Sequence, residues 1–155
     1  MPRIKIDLPE TFLFETEIDV RITDINYGGH LGNDVFLSLV HEARLRFLKH
    51  YGFTEIDVDG VSIIMGDAAV IYKAEVFYGD TLVIKVSADD LSRMSCDLKY
   101  QLLDKKTGRE VARAKTGIVF YDYDKKQIAD MPEKFRTIFS VQNKLFTIEQ
   151  RIGKQ

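Results

Sequence analysis

The sequence predicts an α+β fold in which one long central helix is wrapped by a curved antiparallel β-sheet. Three observations carry this reading. A single apolar stripe of helical period runs between residues 33 and 51, strand-like segments stand before and after it, and tight turns join the later strands. Turns that short imply antiparallel neighbours, because a parallel crossover needs a dozen or more residues. Strands joined in this way lie side by side, which leaves the helix to cover one face of the sheet.

In chain order, Phe14, Thr16, Ile18, Val20 and Ile22 alternate with Glu15, Glu17, Asp19 and Arg21, the period of a half-buried strand. Residues 23–32 break the alternation with Asp, Asn and three glycines, a loop by composition. From Asn33 to Tyr51 the period becomes helical, with Phe36, Leu39, Val40, Ala43 and Phe47 on one face. Asn33 or Asp34 can cap its start through a side-chain oxygen, and Gly52 can end it with a positive φ. Such a helix spans roughly 28 Å, enough to lie across several strands. Residues 62–65, 68–77, 81–88, 94–103 and 110–123 are rich in strand formers, with turn signals at Gly79-Asp80 and at Lys106-Thr107-Gly108. Residues 132–139 can form a short helix, and the last fifteen residues carry no clear pattern.

No repeat, low-complexity run or linker divides the 155 residues, so one domain over 1–155 is expected, its core at about 12–123 and a helical or irregular tail at 124–155. A domain of this size buries roughly 70% of the surface its unfolded chain exposes and needs no staple. Cys96 is the single cysteine, which excludes an internal disulfide and a cysteine-rich metal site. A net charge of −2, from 22 basic and 24 acidic residues, argues against nucleic acid or a membrane surface as partner. With no signal-peptide run near the N-terminus and no membrane-length apolar stretch, the expected compartment is the cytoplasm.

Chemistry concentrates in the loop Thr23-Asp24-Ile25-Asn26-Tyr27-Gly28-Gly29-His30-Leu31-Gly32-Asn33-Asp34. A helix N-terminus offers unpaired N–H groups and the positive end of the helix dipole. Both stabilise an oxygen gaining negative charge in acyl transfer, and glycine lets a ligand approach the backbone closely. On composition alone a capped helix after a flexible turn is the better account of the segment, since caps are far commoner than active sites.

At the level of residues, Asp24, Gly29, His30, Asn33, Phe36 and Glu42-Ala43-Arg44 stand at the spacings of the hot-dog-fold acyl-CoA thioesterases, the 4-hydroxybenzoyl-CoA thioesterase-like family. The segment resembles their pattern D-x-D-x-x-G-H-x-x-N followed by an aromatic residue and an E-A-R element. Tyr72 to Asp80 looks like the family's second signature, a strand ending in an aromatic-Gly-Asp. The resemblance covers roughly residues 14–123. It implies the hot-dog fold, hydrolysis of an acyl-CoA or related acyl thioester, and self-association as a dimer or tetramer with sites at the interface. It implies no cofactor beyond the coenzyme A of the substrate.

One departure bears on mechanism. The second aspartate of the pattern is Asn26 here, and an amide cannot serve as base or nucleophile near neutral pH. Asn26 can still orient a water or bond the thioester carbonyl. The base then falls to Asp34, whose place in the first turn favours its ionised form, or to His30, since histidine titrates near neutrality; a structural hydrogen bond is the alternative role for His30. The resemblance makes the backbone N–H of Asn33 the oxyanion donor, with Gly29 and Tyr27 beside the substrate. Arg93 and Lys73 are candidates for coenzyme A phosphates. Glu42 and Arg44 do not face each other on a helix and are expected to be structural or interfacial. Phe36, Tyr27, Phe53 and Tyr72 are candidates to line an acyl tunnel. Two other functions fit parts of the pattern. In a hot-dog enoyl-thioester hydratase the motif is D-x-N-P-x-H, which Asp24-x-Asn26 matches only in its first half. The other is a domain that binds an acyl thioester without turning it over.

Overall fold

The structure, a computed structural model, describes residues 3–140. Its elements are β1 (Phe14–Asp19), α1 (Val35–His50), β2 (Ser62–Tyr72), β3 (Thr81–Asp89), β4 (Ser95–Asp104), β5 (Glu110–Asp122) and β6 (Gln127–Ile128), followed by α2 over 133–140. One antiparallel sheet runs in the order β1-β3-β4-β5-β2, with β6 paired to the end of β5. The predicted architecture is the observed one.

Alternation decides which face is buried. Leu82, Ile84 and Val86 of β3, Leu98, Tyr100 and Leu102 of β4, and Ala112, Ala114, Ile118 and Phe120 of β5 all lie in the core with Phe36, Leu39, Val40, Ala43 and Phe47 of α1. The apolar stripe read from the helical period is therefore the stripe that packs. Gly52 ends α1 at φ 84°, and the Gly52 and Phe53 N–H groups close on the Lys49 and Leu48 carbonyls at 3.0 and 2.8 Å, a glycine C-terminal cap.

Several boundaries differ from the sequence reading, each for a physical reason. Strand β1 stops at Asp19; Ile22 enters a single 3-10 turn, Ile22–Asp24, and is exposed rather than facing the core. Helix α1 starts at Val35, two residues later than expected. Asp34 occupies the N-cap position, but neither it nor Asn33 caps with a side-chain bond. The two segments read as separate strands are one strand, β2, bulged at Gly66 between Met65 and Asp67, and the pairing ends at Tyr72 rather than at 77. Beyond residue 124 the chain returns to the core: Phe135 meets Phe120 and Phe139 stacks on Phe47, with ring centroids 5.2 and 5.3 Å apart. The final residues, 141–155, lie outside the described part of the chain.

Candidate active site

A closed loop delivers the chain to the start of α1. Asp24 is buried and holds the 3-10 turn, accepting the Arg21 N–H at 2.8 Å and facing the Arg21 guanidinium at 3.3 Å. Its carbonyl takes the Gly32 N–H at 3.2 Å. Between these points Ile25 pairs with Leu31, and the Asn26 N–H donates to the His30 carbonyl at 2.9 Å. The Asn26 side-chain oxygen accepts the Gly28 N–H at 2.9 Å and the His30 N–H at 3.4 Å. That oxygen is directed into the loop, where it closes an Asx turn. Gly29 turns the chain with φ 84°, and Tyr27 projects fully into solvent.

The second signature lies against this loop. The Leu31 N–H donates to the Val76 carbonyl at 2.7 Å. The Tyr72 hydroxyl donates to the Asn33 carbonyl at 2.9 Å, and its ring meets Phe36 edge-on at 5.1 Å. His30 sits between Glu75, with Nε2 to Oε1 at 3.8 Å, and the Phe77 ring at 6.4 Å. Two motifs about forty residues apart in sequence thus form one wall.

At the helix start, the backbone N–H groups of Asn33 and Asp34 donate to no protein group among the described residues, and both residues are exposed. The Asp34 carboxylate accepts no protein hydrogen bond among them either. It lies so close over buried Gly32 that a β-carbon there would stand 2.7 Å from Oδ1 and 3.9 Å from the Asn26 β-carbon. Two free donors and one free carboxylate therefore meet at one place, which is the equipment acyl transfer to water requires.

Not every sequence candidate comes to this place. Lys73 follows Tyr72 in sequence, but its ammonium is paired with Glu110 at 2.7 Å, beside Gln101 and Arg113. These two alternate with the core residues of β4 and β5 and so lie on the sheet face away from α1. Arg93 lies at the other end of the strands, in the turn before β4, paired with Asp130 at 3.0 Å. Phe53 is beyond the far end of α1, 6.0 Å from the Phe135 ring. Glu42 pairs with Arg46 at 3.1 Å, and Arg46 also reaches the Thr16 hydroxyl and the Glu17 carbonyl; this pair fastens α1 to β1. Arg44 is buried and faces Glu55 at 3.6 Å, with its Nε making no hydrogen bond. Glu55 takes His41 Nε2 on its other oxygen at 2.7 Å. Sequence reasoning missed Glu55 and His41, and also Glu75, because no helical or strand period links them to their partners.

A bent antiparallel sheet around one long helix, with a loop of this construction at the helix start, defines the hot-dog class. The model of the thioesterase-like superfamily matches residues 20–139, and the chain belongs to that superfamily. Among solved structures, a 1,4-dihydroxy-2-naphthoyl-CoA thioesterase from Synechocystis is 22% identical with a TM-score of 0.75, covering 82% of this chain and 95% of its own. A thioesterase from Thermus thermophilus, complexed with coenzyme A and zinc, is 24% identical with a TM-score of 0.69, covering 82% and 97%. A DHNA-CoA thioesterase from Staphylococcus aureus is 20% identical with a TM-score of 0.68, covering 90% and 92%. At these identities the likenesses show the fold. No curated protein matches the chain by sequence.

Proposed function

We propose that the protein is a hydrolase that cleaves an acyl-CoA, or a related acyl thioester, to a free acid and a thiol. The observation that carries this is the meeting of the unbonded Asn33 and Asp34 N–H groups with the Asp34 carboxylate at the start of α1, in a chain of the thioesterase-like superfamily.

In this reading the thioester oxygen lies against the two N–H groups. Asp34 takes a proton from water as the water oxygen bonds to the carbonyl carbon. The carbonyl π pair moves onto oxygen, where the N–H groups and the helix dipole hold the charge. Collapse re-forms the carbonyl and breaks the C–S bond, and the leaving sulfur receives the proton from Asp34. Asn26 shapes the loop rather than touching the reacting atoms, because its oxygen is already engaged. His30, set by Glu75 and Phe77, forms the rim that meets the thiol carrier. The reaction needs no cofactor beyond the coenzyme A of the substrate.

Self-association fits the same reading. β2 is an edge strand whose residues 65–68 are exposed, and Leu37 and Leu45 of α1 are exposed as well; a second copy would cover both, as a dimer or within a tetramer. No described helix is long and apolar enough to cross a membrane, and a cytoplasmic location is part of the proposal. Release of free thiol from a panel of aliphatic and aromatic acyl-CoAs by the purified chain tests the function; no release from any member rejects it. A domain that binds the ester without cleaving it is the second reading, favoured by the amide at position 26. Tight binding with no thiol release would select it.

A further inference from the structure

The Asn33 carbonyl that accepts the Tyr72 hydroxyl at 2.9 Å belongs to the same peptide unit as the Asp34 N–H. That unit is trans, since no peptide bond among the described residues is cis, so its C=O and N–H point in opposite directions across one rigid plane. Fixing the oxygen therefore fixes the direction of the hydrogen. Asp34 has helical angles, φ −70° and ψ −28°, which direct its N–H out of the helix start; the Asn33 N–H is its sequence neighbour. Neither donates to any protein group among the described residues. Asn33 lies one residue before the N-cap, so its carbonyl takes no intrahelical bond, and a side chain from β2 engages it.

We propose that Tyr72 is a positioning residue: it locks and polarises the 33–34 peptide so that the Asp34 N–H serves as a second donor to the thioester oxygen. This rests on the thioesterase reading above. Two effects combine. The lock removes a rotation that would otherwise have to be stopped in the transition state, and preorganised donors are worth most when no reorganisation is left to do. A hydrogen bond accepted at the carbonyl also polarises the amide and strengthens its N–H as a donor, by about 10–30% per bond. Tyr72 is held for this duty by its ring contact with Phe36, a core residue of α1. Because Tyr72 is half exposed, removal of its hydroxyl leaves no buried group unsatisfied within its own side chain, and Tyr72→Phe should fold.

The test has two arms. In the first, the Asp34 amide resonance is followed in the wild type and in Tyr72→Phe. The proposal expects the hydroxyl's loss to shift that amide and speed its hydrogen exchange while the buried amides of β3 to β5 stay in place; an unmoved Asp34 amide overturns it, whatever the enzyme's activity. In the second arm, kcat and KM are measured for an acyl-CoA that the wild type hydrolyses, with the infrared carbonyl band of the bound, 13C-labelled thioester or a slowly hydrolysed analogue. The expectation is a loss of about tenfold in kcat with KM within twofold, and a smaller red shift of the band in Tyr72→Phe. Unchanged kcat and band overturn the proposal while leaving the thioesterase reading intact. A wild type that neither cleaves nor polarises any thioester overturns both.

Discussion

The Tyr72 hydroxyl and the Asn33 carbonyl, 2.9 Å apart, join the end of β2 to the start of α1. With the Leu31 to Val76 backbone bond at 2.7 Å, this contact fixes the loop against the irregular segment that follows β2. The helix start is therefore held from outside the helix, and its free donors keep their direction without a capping side chain.

Gly32→Ala should impair the reaction without unfolding the chain. The new β-carbon would stand 2.7 Å from Asp34 Oδ1, closer than real contacts allow, and the carboxylate must swing away. If Asp34 is the base, kcat falls by about tenfold to a hundredfold while acyl-CoA binding changes little. Steady-state kinetics beside isothermal binding to a non-hydrolysable analogue will show it.

Asn26→Ala removes the acceptor for the Gly28 and His30 N–H groups, and both can turn to water because the loop is exposed. The expected cost is about 1 kcal/mol, read as a lower melting temperature. Asn26→Asp keeps an acceptor in the same place and should keep wild-type stability. Equal melting temperatures for Asn26→Ala and the wild type would show that the Asx turn contributes nothing.

Glu110, at the start of β5, gives a pH signature. Burial alone would raise its carboxyl, but hydrogen bonds from Lys73, Gln101 and Arg113 outweigh it and hold the group below the ordinary value of 4.5. A depressed folded value means stability that is present above 4.5 and is lost as pH falls through the folded value. Glu110→Gln should therefore cost about 2 kcal/mol at pH 7, and its gap from the wild type should close as pH falls below 4.5. Denaturant midpoints from about pH 3 to pH 8 provide the check; a gap independent of pH would contradict the ion-pair account.

Cys96 should be chemically silent in the folded chain. Burial, and less strongly the Asp97 charge, push its thiol up to about 12, so at about pH 8 it is both protonated and shielded. Reaction with a disulfide reagent is expected only through unfolding, speeding up with denaturant. Labelling within seconds in native buffer would contradict that packing.

Much of this was legible in the sequence, and the reasons are local. The stripe from Phe36 to Phe47 declares itself by period, and Gly52, Gly79 and Gly108, all at positive φ, by the turns they permit. The loop was legible as a loop and, through its spacing, as a site. Contacts between distant segments were not legible: nothing in the pattern around Tyr72 says that its hydroxyl will find Asn33, or that Glu75 will face His30. The helical spacing marks Arg44 as structural or interfacial but not as buried, because charge usually marks the solvent face; its place follows from Glu55, beyond the end of the helix. Residue type alone sets the start of α1 two residues early, since Asn33 and Asp34 both suit a cap, whereas the Asp34 carboxylate makes no cap bond and accepts no other hydrogen bond among the described residues.

In the proposed mechanism Asp34, beside the Asn33 and Asp34 N–H groups that meet no protein acceptor among the described residues, activates water against the thioester carbonyl. The most direct measurement is kcat for thiol release from a saturating acyl-CoA, compared between the wild type and Asp34→Asn. The predicted result is measurable release by the wild type and a loss of about a hundredfold to ten-thousandfold in Asp34→Asn, with affinity for the ester retained. Equal turnover by the two proteins would contradict it.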